Sequence, residues 1–128
     1  MVEVQQQTSL ILGLDHVQLA MPHGGEAQAR SFYVDLLGMV ELPKPAHLAV
    51  GGGCWFAAGT AQIHLGLEDG FTPSRRAHAG LLVSDLPTLV TRLEQGGVPF
   101  QPGKPLDGYR RGDVLDPFGN RIELLQRL

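Results

Sequence analysis

TAQIHLGLE, residues 60–68, reads as a strand in which Ile63, Leu65 and Leu67 alternate with Gln62, His64 and Gly66. One face of that strand is wholly apolar. The other carries a histidine and a glutamine, and a histidine so placed needs a partner. What it meets depends on how the segments on either side are arranged.

Upstream, LILGLDHVQLAMP (10–22) alternates as a strand and stops at Pro22 and the glycines beyond. EAQARSFYVDLLG (26–38) repeats Ala29, Phe32, Tyr33, Leu36 and Leu37 at helical spacing, with Gly38 as its C-terminal stop. MVEL, HLAV and CWFAA follow as short extended pieces, broken by Pro43, Pro45 and Gly51–Gly53. Downstream, DGFTPSRR (69–76) is a turn-rich linker, and the order then repeats. AHAGLLVSD reads as a strand. LPTLVTRLEQGG reads as a helix with Pro87 in its first turn and Ser84 or Asp85 as its N-cap. VPFQ, YRRGDVLD and, after the turn DPFG, NRIELLQ complete the second set.

Counting tests the repeat. Gly38 precedes His64 by 26 positions, and Gly97 precedes Glu123 by the same 26. In that register QIHL (62–65) falls on RIEL (121–124), with the apolar residues matched and His64 set against Glu123. His16 and His78 then occupy the first strands of the two halves. The expected fold is α+β: two βαβββ modules, residues 10–68 and 76–128 of a single 128-residue domain. Curved mixed sheets would enclose a cup, with the helices outside.

Composition narrows the function. A formal net charge of −3 and the absence of a Lys/Arg run argue against nucleic acid. The apolar runs are too short to span a bilayer. Residues 1 to about 9 read as a flexible leader without the pattern of a signal peptide, so a cytoplasmic protein is expected. Cys54, the only cysteine, cannot form an intramolecular disulfide and reads as a small buried thiol.

Strand parity carries the chemistry. His16, His64, His78 and Glu123 each lie opposite their strand's aliphatic set, so all four should face the cup. Each histidine alone would be an ordinary hydrogen-bonded strand residue, and Glu123 alone a solvated one. Together they are a set of metal-ligand type, and a divalent cation would compensate a carboxylate buried among imidazoles. Gln18 and Gln62 share the lining parity and could orient a ligand. Arg75 or Arg76, before the His78 strand, and Arg110 or Arg111 in YRRGDV, could grip a substrate carboxylate or phosphate; the plainer reading is solvated surface arginine. Trp55, with Phe56, Phe71 and Tyr109, could offer stacking surface, although Trp55 and Phe56 read first as core.

With DHVQLAM, QIHLG, AHAGLLVSD and DPFGNRIELL in these positions, the chain resembles the vicinal oxygen chelate superfamily over about residues 11–127. That group includes glyoxalase I, extradiol dioxygenases, and fosfomycin- and bleomycin-resistance proteins. The resemblance implies a divalent metal (Fe, Mn, Zn, Ni or Co) held by His16, His78 and Glu123, and a homodimer. His64 falls where glyoxalase I enzymes usually place a glutamate, which leaves it as a fourth ligand or as a general base. The function expected is a metal-dependent enzyme, a lyase, isomerase or dioxygenase, acting on a small oxygen-bearing substrate. The alternative is a metal-free protein of the bleomycin-resistance kind that sequesters a ligand.

Overall fold

The structure, a computed structural model, describes residues 9–128. The leader expected over residues 1 to about 9 therefore lies almost wholly outside the described residues. Among these, eight strands form two four-stranded sheets of one design. β1 (Val17–Met21), β2 (Val40–Leu42), β3 (Cys54–Ala58) and β4 (Ala61–Leu67) lie in the order β1-β4-β3-β2. β5 (Ala79–Leu82), β6 (Gln101–Pro102), β7 (Tyr109–Leu115) and β8 (Arg121–Arg127) repeat it as β5-β8-β7-β6. In each sheet the first strand runs parallel to the fourth, and the other pairings are antiparallel. A parallel pair needs a crossover, and a helix follows each first strand to provide it. The fold is α+β, two βαβββ modules forming a curved cup.

The crossover helices end where the glycines sit. α1 (Glu26–Arg30) continues into a π-helical turn, Ser31–Leu36, and Gly38 beyond it has φ 78°. α2 (Ala46–Ala49) is a single short turn. α3 (Leu86–Gln95) is capped by Asp85, whose side chain accepts from the Thr88 N–H, and Gly97 after it has φ 83°. The counting register holds in space. Val17 pairs with Ile63 and Ala79 with Ile122, so His64 and Glu123 occupy matching places one residue on.

Two local expectations change. HLAV, expected to be extended, lies mostly in α2. The first strand begins at Val17 rather than near Leu10, leaving Leu10, Ile11, Leu12 and Leu14 at least 78% exposed. Alternation alone cannot make a strand; a neighbouring backbone must pair with it.

The apolar faces meet the helices. Met21, Cys54, Phe56, Ile63 and Leu65 bury themselves with Ala29, Phe32 and Tyr33, the Tyr33 and Phe56 rings stacking at 5.1 Å. Ala79, Val114, Ile122 and Leu124 join Leu86 and Leu93 of α3 in the same cluster. Cys54 is among the buried set, and burial pushes its thiol pKa up.

The turn between β7 and β8, Asp116–Asn120, ties the modules together. Asp116, 4% exposed, accepts from Tyr33 Oη (2.8 Å), Asn120 Nδ2 (2.9 Å) and the backbone N–H groups of Phe118 and Asn120. Asn120 Nδ2 also donates to the Ala20 carbonyl of β1 at 2.8 Å. Phe118 lies where a Cβ on Gly25 would come within 2.6 Å of its ring, so glycine at 25 is what admits it. The second module's turn is thus bonded to the first module's helix and first strand.

Candidate functional site

The polar faces carry two clusters, one on each sheet. On the first, His64 of β4 is sandwiched between aromatic planes. The Trp55 ring lies at 4.5 Å and 14° from it, and the His16 ring at 4.0 Å and 12°. Lys44 Nζ sits 5.8 Å from the Trp55 ring centre. These rings explain how His64 is only 7% exposed on the polar face. Its Nε2–H donates to Gln62 Oε1 at 3.0 Å, so Nδ1 keeps the lone pair. Gln18 packs over Gly66, where a Cβ would lie 2.5 Å from Gln18 Nε2.

Burial, then the neighbouring His16, lowers the His64 pKa against a smaller opposing pull from Asp15. A folded-state value below the ordinary 6.5 means the unfolded chain takes up this proton first. Stability from this group is therefore complete above about pH 6.5 and is lost as pH falls toward the lower folded value. In an NMR titration the His64 ring is expected to change charge below pH 6.5, and His64→Gln should flatten the acid side of the stability profile. A midpoint above 6.5 would contradict the burial.

On the second sheet, His78 immediately precedes β5. Its Nδ1 lies 2.8 Å from the Arg76 carbonyl oxygen, which only accepts, so Nδ1 carries a proton there. Nε2 then faces Glu123 Oε1 at 2.9 Å. Nε2 and Oε1 each offer a lone pair toward the other, so a proton or a metal ion must lie between them. The other carboxylate oxygen, Oε2, accepts from Arg111 Nη1 at 3.0 Å, and Arg111 Nε donates to the Lys104 carbonyl. Burial raises the Glu123 pKa, but the bonds from Arg111 and His78 outweigh it and hold the carboxyl below its ordinary range.

His16 repeats the His78 pattern. Its Nδ1 donates to Asp15 Oδ2 at 2.9 Å, which leaves Nε2 with an open lone pair. Strand parity does not point to Asp15; its only signal in the sequence is the DH dipeptide, which sets a carboxylate beside the histidine. The imidazoles of His16 and His64 stand in nearly parallel planes. Their in-plane lone pairs cannot meet at one ion roughly 2 Å from each unless a ring swings out. Within one chain, then, the four residues fall into His16 with His64 and His78 with Glu123. Among the described residues no three His, Cys, Asp or Glu side chains are grouped to hold a metal ion. Arg75 is exposed, while Arg76 contributes its carbonyl rather than its charge. No helix among the described residues is long and apolar enough to cross a membrane.

Comparison with known proteins agrees with this architecture. A family model described as the Glyoxalase/Bleomycin resistance protein/Dioxygenase superfamily matches residues 13–124. A glyoxalase family protein from Bacillus anthracis shares 41% identity at a TM-score of 0.90, covering 94% of this chain and 98% of that one. A lactoylglutathione lyase from Agrobacterium tumefaciens is similar at 18% identity and TM-score 0.70, with 92% and 96% covered. An antibiotic-binding protein from Streptomyces is similar at 24% and 0.69, with 94% and 99% covered. At those identities the last two likenesses concern the fold. No curated protein matches the chain.

Proposed function

The chain belongs to the Glyoxalase/Bleomycin resistance protein/Dioxygenase superfamily, and from that premise we propose that it is a metal-dependent enzyme acting on a small oxygen-bearing molecule. The observation that carries the proposal is the His78–Glu123 contact, in which an anchored Nδ1–H turns Nε2 onto a carboxylate and sets two atoms of metal-ligand type 2.9 Å apart. His16 offers a second Nε2 anchored in the same way. These three donors, two imidazole nitrogens and one carboxylate, suit a first-row divalent ion such as Fe, Mn, Zn, Ni or Co. When bound, such an ion supplies Lewis acidity toward two oxygens of the substrate. His64, neutral near pH 7 and with Nδ1 open, takes up or returns a substrate proton; the stacking against His16 supports this role over that of a fourth ligand.

A second copy of the chain completes the site in this reading. The Asp116–Asn120 turn bonds the modules of one chain to each other, and among the described residues their two clusters do not gather into one metal-binding group, so the missing half comes from a partner. The apolar stretch Leu10–Leu14, exposed in the single chain and running directly into Asp15 and His16, supports burial against that partner. Replacing Ile11 and Leu12 together by Ser is expected to shift the protein from dimer toward monomer in sedimentation experiments while leaving each fold intact. An unchanged dimer would remove this stretch from the interface.

The proposed function is tested by elemental analysis and sedimentation of protein purified without chelators. A dimer carrying a stoichiometric first-row metal is expected. A metal-free protein that binds a bulky aromatic drug tightly would turn the reading toward sequestration. A cytoplasmic setting suits the lone buried thiol of Cys54.

A further inference from the structure

We propose that the cavity beside Glu123 on the second sheet is a subsite for a small oxyanion, a carboxylate or phosphate group, gripped by Lys104, Arg111 and Arg121. This names the group that the substrate of the proposed enzyme carries, and it rests on that reading only for where the rest of the substrate lies.

The cavity, about 290 Å³, is lined by those three cations against two carboxylates, Asp113 and Glu123, a surplus of one positive charge. Strand register puts the strand residues on one face. Asp113 of β7 pairs with Glu123 of β8, Arg111 lies two residues along β7, and Arg121 two residues along β8. The arginines are already positioned. Nε and Nη1 of Arg111 are held by the Lys104 carbonyl and Glu123, which fixes the guanidinium plane and leaves the Nη2 hydrogens for a ligand. Arg121 meets Asp113 through one contact, Nη2 to Oδ2 at 3.0 Å, instead of a two-bond fork. That leaves two buried atoms without a hydrogen-bond partner among the described residues, the donor Arg121 Nε and the acceptor Asp113 Oδ1. A buried N–H of this kind is stabilised by an acceptor, and a guanidinium matches an oxyanion better than any neutral group. Lys104 makes no ion pair among the described residues, and as an exposed residue it can swing over the opening. The size suits the charged end of a substrate lying across from the His78–Glu123 pair, more than it suits a whole drug-sized molecule.

Titration calorimetry on chelator-treated protein at constant ionic strength tests the subsite without any metal, so it can fail while the proposed enzyme stands, and the reverse. The probes are glycolate, inorganic phosphate and the neutral glycolamide. Saturable binding of glycolate or phosphate is expected, the tighter of the two naming the group, with glycolamide silent. Lys104→Gln, at an exposed position, and Arg121→Gln should each weaken binding roughly tenfold or more. Arg92→Gln, on α3 and outside the cavity, should leave it unchanged. Glycolamide binding as well as glycolate, no saturable anion binding, or equal weakening by Arg92→Gln would each overturn the proposal.

Discussion

Asp116→Ala is expected to destabilise the protein by roughly 3–5 kcal/mol, lowering the thermal midpoint by about 10–20 °C. The size follows from how many donors one carboxylate holds. Removing it strands Tyr33 Oη, on a wholly buried ring, and two backbone N–H groups, each costing about 1–3 kcal/mol if left unpaired. Asn120 Nδ2 keeps its bond to Ala20 and is spared part of that loss. Asp116→Asn, which retains one acceptor, should cost less. Tyr33→Phe should cost about 1 kcal/mol alone and almost nothing on top of Asp116→Ala, because the partner is already gone. Burial first, then the Asp116 charge, pushes the Tyr33 phenol well above its ordinary pKa, so in Asp116→Ala that phenol should ionise at lower pH. Thermal unfolding followed by circular dichroism measures the first quantity. A loss under about 1 kcal/mol would mean the turn does not bind the modules together.

Glu123→Gln is expected to cut metal affinity at least about 100-fold, with activity falling alongside the metal content. Glutamine keeps the shape and one carbonyl oxygen but loses the charge that faces His78 Nε2 and Arg111 Nη1. The carboxylate lies on the polar face of β8, away from Ile122 and Leu124, so the variant should fold and circular dichroism should match the parent. Elemental analysis after gel filtration supplies the number. Equal metal in parent and variant would take Glu123 out of the ligand set.

How much of this was legible in the chain varies by element. The duplication was, because a glycine in left-handed conformation closes each crossover helix and a fixed number of residues then leads to the matching strand. The pairings Val17 with Ile63 and Ala79 with Ile122 follow from it. Parity also placed His64 and Glu123 on the polar faces correctly. HLAV is not legible, because four residues carry too little periodicity to separate a turn of helix from a strand. DPFGN reads as a turn from its own chemistry, yet Tyr33, the partner that makes Asp116 structural, lies 83 positions away. Ring stacking between His16 and His64, and the separation of the two half-sites, depend on side-chain packing and module placement. Local alternation encodes neither.

The stack over His64 also gives the protein an optical probe of its own. Trp55 is the only tryptophan in the chain, and its indole rests against the imidazole proposed to move the proton. Emission will therefore register events at the first sheet's cluster without any label, while changes confined to His78 and Glu123, on the other sheet, stay dark.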